Sequence, residues 1–373
     1  MANKNLTNAK RVKNDEFYTQ YSDIQKEIEA YLEYSPDVFR GKVVYCNCDD
    51  PFESNFFRYF VLNFNKLGLK RLITTSYKPS PVANTQLGLF GDDKTLTKAK
   101  GRPKVTANKF IINEVRDIDG DGEFNLKDIA KQLKANKHNE WTPLEDDGDF
   151  RSDESINLLK QSDIVITNPP FSLFREYLKQ LMEYKKKFVI IGSMNALKYA
   201  NIFPLIKNNK IWLGVSNGAK TFIKPDKTEQ KMGNTCWFTN IDHGRRHQPL
   251  PLMTKAELIK FVTKKPFLKY DNYDAIEVSQ VKNIPSDYKG AIGVPISFLD
   301  KYSPEQFEII GLGQGNLYRE LTPKGLNKEF VNNYYQNGGT GSISEDHPIL
   351  GYYNEDGKAT IPYMRIIIKH KKK

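Results

Sequence analysis

The first sixteen residues are polar and basic with no hydrophobic periodicity, which predicts an arm outside the fold. From Lys42 onward, short β-branched runs alternate with amphipathic segments. Val43 to Cys48 predicts a strand, Ser54 to Leu67 a helix with Ser54 at its N-cap, and Arg71 to Tyr77 a second strand. After an interruption come a helix at about Ser155 to Gln161, a strand at Ile164 to Thr167 and a helix from Leu173 to Tyr184. Phe188 to Gly192 predicts a strand and Ala196 to Ile206 a helix; Ile211 to Val215 and Thr235 to Thr239 predict the closing strands. This alternation is that of an α/β fold: a doubly wound sheet with helices on both faces, holding ligands at the carboxyl ends of its strands.

Two regions break the rhythm. Pro79, Pro81, Gly88, Gly91, Gly101 and Pro103 predict an irregular, exposed insertion at about residues 78–147. Past Pro249 and Pro251, short β-like segments separated by Pro and Gly run to a final strand at Tyr363 to Ile368. The expectation is a first domain at 1–250 and a smaller α+β region at 251–373.

Charge narrows the partners. Lys and Arg outnumber Asp and Glu by 56 to 45, a net charge of +11, which suits a polyanion. No stretch approaches the roughly 18 to 20 apolar residues of a membrane span, and Met1 to Asn5 has no apolar signal core, so a cytoplasmic protein is expected. Cys46, Cys48 and Cys236 are too few for a disulfide framework or a four-thiolate zinc site. His243 and His247 flank Arg245 and Arg246, which predicts a polyanion-facing loop rather than a metal site.

The sharpest chemical signal is Asn168-Pro169-Pro170-Phe171, directly after the strand at Ile164 to Thr167. The prolines stop the strand and stiffen the turn. The Asn side-chain oxygen and the carbonyl after it can both accept from one planar NH2 group, while Phe171 stacks on the ring that carries it. A four-residue motif also suits an ordinary strand-ending turn.

Further segments carry a family resemblance. Asp15-Glu16-Phe17-Tyr18-Thr19-Gln20, Asn47-Cys48-Asp49-Asp50-Pro51-Phe52 and Gly148-Asp149-Phe150 precede the motif in order. Thr235-Cys236-Trp237-Phe238-Thr239-Asn240, Tyr270-Asp271-Asn272-Tyr273-Asp274-Ala275-Ile276 and Gly293-Val294-Pro295-Ile296-Ser297-Phe298-Leu299-Asp300 follow it. Over nearly its whole length the chain resembles the EcoRI-type adenine-specific DNA methyltransferases.

The resemblance implies a Rossmann-like methyltransferase sheet followed by a target-recognition region. It also implies transfer of a methyl group from S-adenosylmethionine to the N6 amine of an adenine flipped out of double-stranded DNA. Asn168 and Pro169 would hold the amine and Phe171 would stack on the base. Tyr18 and Thr19 would close over the methionine part of the cofactor, and Asp49 and Asp50 would contact it from the first-strand loop. Asp149 would accept from its adenine amine and Phe150 would stack on its ring. Trp237 or Phe238 would form the opposite wall of the base pocket, or else pack in the core. The first-strand loop lacks the expected Phe-x-Gly-x-Gly, and no acidic residue follows Arg71 to Tyr77 to hold the ribose. Rival readings are a catalytically silent DNA-binding protein on this fold, or an enzyme acting on cytosine N4 or on RNA.

Three motifs lie in the insertion. Asp117, Asp119, Asp121 and Asp128 take ligand positions of a twelve-residue calcium loop, for which a turn closed without metal is the alternative. Gln86 to Phe90 resembles the pentapeptide that docks DNA-processing enzymes on the sliding clamp, with local packing as its rival. Lys100 to Lys104 resembles an AT-hook core, although a basic linker is the simpler reading.

Overall fold

A computed structural model describes residues 18–48, 54–76, 107–118, 125–135, 138–224, 228–321 and 324–371. The described residues form two compact units. One runs up to Ala196 and resumes over Leu213–His243; the other comprises Leu197–Trp212 and the chain from Gly244 onward.

The first unit is built on a mixed sheet. Its strands are β1 (Val43–Cys46), β2 (Arg71–Thr75), β3 (Asn108–Ile112), β4 (Glu140–Pro143), β5 (Ile164–Thr167), β6 (Lys187–Ser193), β7 (Trp212–Leu213) and β10 (Thr235–Thr239). Their order is β4-β3-β2-β1-β5-β6-β10-β7. β2, β1, β5 and β6 run parallel; β3, β4 and β10 run antiparallel to their neighbours. A separate hairpin pairs β8 (Lys220–Ile223) with β9 (Glu229–Met232).

The helices of this unit are α1 (Tyr21–Tyr34), α2 (Asn55–Leu62), α3 (Phe64–Leu67), α4 (Leu126–Ala135), α5 (Asp153–Gln161) and α6 (Phe174–Glu183). Alternation along β10 shows that both sheet faces are covered. Trp237 meets Phe56 of α2 edge-on at 6.2 Å, and its neighbour Phe238 meets Phe174 of α6 at 4.8 Å. Burial on both faces explains why Ile164-Val165-Ile166-Thr167 is buried throughout instead of alternating with polar residues. Val44, Cys46, Ile164, Ile166, Val189 and Ile191 share one core with α1 and α2.

The insertion is not irregular throughout: β3, which overlaps the strand-like run Phe110 to Val115, and the unexpected β4 extend the central sheet by two strands. α2 also differs from the sequence reading. Ser54 caps it as expected, accepting from the amides of Phe56 (3.1 Å) and Phe57 (3.2 Å). The helix breaks at Asn63, whose side-chain amide donates to the Tyr59 carbonyl at 2.8 Å in competition with the helical ladder.

The second unit holds a four-stranded sheet of β11 (Ala275–Glu277), β12 (Ala291–Pro295), β13 (Phe307–Leu312) and β16 (Arg365–His370), in the order β11-β12-β16-β13. The short pair β14 (Tyr352–Tyr353) and β15 (Ala359–Thr360) stands apart from it. The unit also holds helices α7 (Phe203–Lys207), α8 (Asn316–Arg319) and α9 (Lys328–Gln336), and a short helical segment over Lys255–Glu257 and Leu258–Thr263. The Arg245-Arg246 segment, expected to face a polyanion, is used internally. Arg245 pairs with Asp300 at 2.5 Å, while Arg246 lies 4.0 Å over the Trp212 ring and donates to Asn209. His243 is buried, with its Nε2 2.9 Å from the Leu213 carbonyl. Among the described residues no helix is long and apolar enough to cross a membrane.

Candidate active site

The strand order reverses between β1 and β5. From β1 the chain passes to β2 on one side, and β5 lies against the other side of β1 and leads to β6. Such a switch point leaves a crevice at the carboxyl ends of the two strands. The register Tyr45↔Val165 brings those ends side by side. Asn47 follows β1 and Asn168 follows β5, and both are buried.

Asn47 is fixed by the Tyr177 hydroxyl of α6, which donates to its Oδ1. Burial pushes the Tyr177 phenol well up, so the hydroxyl keeps the proton it donates. After Asn168, the Pro169 carbonyl accepts no hydrogen bond from the described residues, and the chain turns through a 3₁₀ helix at Phe171–Leu173 into α6. Phe171 is half-buried, and its ring meets that of Phe222 edge-on at 6.3 Å.

Phe222 lies on β8, which also receives the N-terminal element. The Tyr18 amide donates to the Ile223 carbonyl at 2.7 Å, and the Ile223 amide returns a bond at 3.0 Å. The Asn55 side chain at the start of α2 donates to the Thr19 carbonyl at 2.8 Å. The β8–β9 hairpin therefore ties Tyr18-Thr19 to the ring that follows the Asn-Pro-Pro turn. Asp49 and Asp50 lie outside the described residues. Thr19 stands beside the helix that follows them, and its buried hydroxyl has no hydrogen-bond partner among the described residues.

Gly148 carries the third element across the end of β2. Its φ is +80°, and a Cβ there would come within 2.0 Å of the Ser76 carbonyl oxygen, so only glycine fits. The loop delivers Asp149 and Phe150 to the strand ends, but their side chains are engaged within the protein. The Asp149 carboxylate accepts from the Arg151 amide and Nε, each at 2.9 Å, and from its Nη2 at 2.7 Å. The Phe150 ring is 5% exposed, edge-on to Tyr177 at 5.0 Å and covered by Arg151 at 5.2 Å.

Trp237 and Phe238 correct an expectation. Both have no exposed surface and fill the core on opposite faces of β10, which removes them as a wall for an incoming base. Calcium gains no support. Asp119 and Asp121 lie outside the described residues, and no group of three candidate ligands occurs within them. Asp128 is buried at the start of α4, where its two oxygens accept from the amides of Ile118 and Asn125, each at 2.9 Å. The Gln86 to Phe90 and Lys100 to Lys104 motifs also lie outside the described residues. Sequence reasoning missed Tyr177, Phe222 and Arg151. The available signal for Tyr177 was its place in the first turn of α6, the helix that leaves the Asn168 turn.

A buried Asn-Pro turn at the switch point of a mixed sheet whose central strands run parallel, with an aromatic ring beside it, suits a methyltransferase directed at a planar amine. Residues 5–371 match the family described as adenine-specific methyltransferase EcoRI. The type II methyltransferase M.EcoRI of Escherichia coli is 43% identical over 87% of this chain and 93% of its own length. M.MpnI of Mycoplasma pneumoniae is 38% identical over 81% of this chain and 83% of its own length. M.MgeORF184P of Mycoplasma genitalium is 34% identical over 81% and 84%. No solved structure matches the chain. The chain belongs to the EcoRI family of adenine-specific methyltransferases. It is an adenine-specific DNA methyltransferase, and enzymes of this class use S-adenosylmethionine.

Proposed function

We propose that the enzyme takes an adenine out of the DNA duplex and holds its N6 amine at the turn after β5. The observation that carries this reading is the pairing of a buried Asn168 with an adjacent Pro169 carbonyl that the described residues leave open as an acceptor. The Asn168 side-chain oxygen and the Pro169 carbonyl accept the two amine protons. That disfavours the planar form, in which the nitrogen lone pair is spread into the ring, and directs the lone pair outward. Phe171 stacks on the base and offsets part of the few kcal/mol that extrusion costs. Positioning and fixed dipoles carry the reaction, with no covalent enzyme intermediate.

The cofactor residues are Tyr18, Thr19, Asp49, Asp50, Asp149 and Phe150, with Asp149 and Phe150 released from Arg151 when the cofactor binds. Thr19 supports this assignment, because a buried hydroxyl without a partner is what a ligand oxygen or nitrogen would complete. Bound S-adenosylmethionine supplies an electrophilic methyl group on its sulfonium sulfur. The Phe171–Phe222 contact and the Tyr18–Ile223 pairing let the hairpin register both ends of the pocket at once.

The second unit reads the target sequence, and the enzyme works in the cytoplasm. The test is transfer of labelled methyl groups to duplex DNA, followed by digestion to nucleosides. Label is expected in N6-methyl-2′-deoxyadenosine. Label in N4-methyl-2′-deoxycytidine, or none in any DNA while cofactor binds, would overturn the proposal.

A further inference from the structure

The second unit contains a cavity of about 390 Å³ that the transfer chemistry does not use. It is lined by Tyr318, Arg319, Lys324, Gly325, Asp346, His347 and Pro348. The backbone holds its walls together. The Gly315 amide donates to the Pro348 carbonyl at 2.7 Å, and the Asp346 amide donates to the Leu326 carbonyl at 3.1 Å. At Gly325 a Cβ would come within 2.5 Å of the Asp346 Cα, so this wall admits no side chain and the two segments stay in contact.

Charge and hydrogen bonding in the cavity are incomplete. Arg319 and Lys324 are exposed and pair with no carboxylate among the described residues. Two full cations against the single Asp346 carboxylate leave the lining positive even with His347 neutral. The Tyr318 hydroxyl is buried and has no hydrogen-bond partner among the described residues. Burial pushes this phenol up, so it stays protonated as a donor. A buried donor left unmade is costly, and an acceptor brought by a guest in the cavity would complete it. The required guest carries anionic oxygens, fits a concave site and approaches from solvent. On a protein that acts on DNA, a backbone phosphodiester meets all three conditions, whereas base edges are reached by side chains that project into a groove.

We propose that the Tyr318–Arg319–Lys324–His347 cavity seats one phosphate of the target DNA backbone and so sets the register of the second unit on the duplex. This rests on the enzyme's action on DNA, and the test separates the two. Binding to a duplex that the wild-type protein methylates is measured from low to high salt for Arg319→Ala, Lys324→Ala and Tyr318→Phe.

Each lost cation should flatten the log–log salt slope by about 1 and weaken binding evenly across sequences. The set of methylated sites and the low-salt, saturating transfer rate should not change. Tyr318→Phe should weaken DNA binding while leaving thermal stability equal or higher, because it removes an orphaned donor; a purely structural hydroxyl would give the opposite stability change. Unchanged slopes in both cation variants would overturn the proposal. So would a slope that holds while one base pair of the site becomes degenerate, since that marks base reading. Loss of transfer at saturating DNA would indict the catalytic assignment instead.

Discussion

Glu27 and Glu277 are both buried carboxylates, one in each unit, and they are satisfied in opposite ways. Glu27 accepts from the Val215 amide (2.9 Å), the Ser216 amide and hydroxyl (2.7 Å each) and the Tyr31 hydroxyl (3.0 Å). Its oxygen lies so near the backbone that a Cβ on Gly214 would come within 2.0 Å of it. Glu277 instead grips the Arg365 guanidinium through bonds of 2.6 and 3.0 Å and accepts from the Tyr270 hydroxyl. Glu27 is hydrogen-bonded only by backbone and hydroxyl dipoles, with the buried Lys220 ammonium acting on it from further off, whereas Glu277 is in direct contact with an opposite full charge. The same division runs through the sites. The turn proposed to hold the amine presents Asn168, the Pro169 carbonyl and the Phe171 ring, whereas the cavity of the second unit is lined by Arg319, Lys324 and His347 against a single carboxylate, Asp346. Neutral groups suit a reaction run by positioning, and charges suit a grip on a polyanion.

Substitutions can break or sharpen this contrast. Glu277→Ala should cost the most, about 3–5 kcal/mol in urea unfolding, because Arg365 is left buried without its partner. A loss under about 1 kcal/mol, the value of an exposed pair, would show the pair to be solvated. Glu27→Ala strands amide donors instead, at about 1–3 kcal/mol, and Glu27→Gln should recover part of that by keeping one acceptor oxygen. Full recovery by Gln would mean that the charge of Glu27 adds nothing. Tyr177→Phe should weaken cofactor binding by about tenfold, or about 1.4 kcal/mol, since Asn47 loses its donor. Unchanged calorimetric affinity would separate Asn47 from the cofactor site. Ser54→Ala should cost only about 1 kcal/mol of stability, through the cap of α2.

The sequence made the sheet legible because its parallel strands are short apolar runs separated by capped helices. Thr235 to Thr239 falls where expected, to the residue. β4 was not legible. Glu-Trp-Thr-Pro is polar and half-exposed, and it is a strand only because the edge of β3 offers hydrogen bonds. Of the proposed site, Asn168 and Thr19 can be singled out in the sequence, because there the residue type carries the chemistry. The burial of Trp237 and Phe238 was not legible, because sequence alternation assigns them to opposite faces without telling which face is covered. Here both are. Arg245 and Arg246 misled for a related reason: a cation's partner, such as Asp300 or the Trp212 ring, lies far away in sequence.

The most direct test is single-turnover methyl transfer by Asn168→Ala, measured beside its affinity for S-adenosylmethionine. Loss of one acceptor in a pocket run by positioning predicts transfer slower by about 10²-fold or more, with cofactor affinity unchanged. Transfer at the wild-type rate, or a loss fully accounted for by weaker cofactor binding, would contradict the assignment of the turn after β5 as the site that holds the adenine amine.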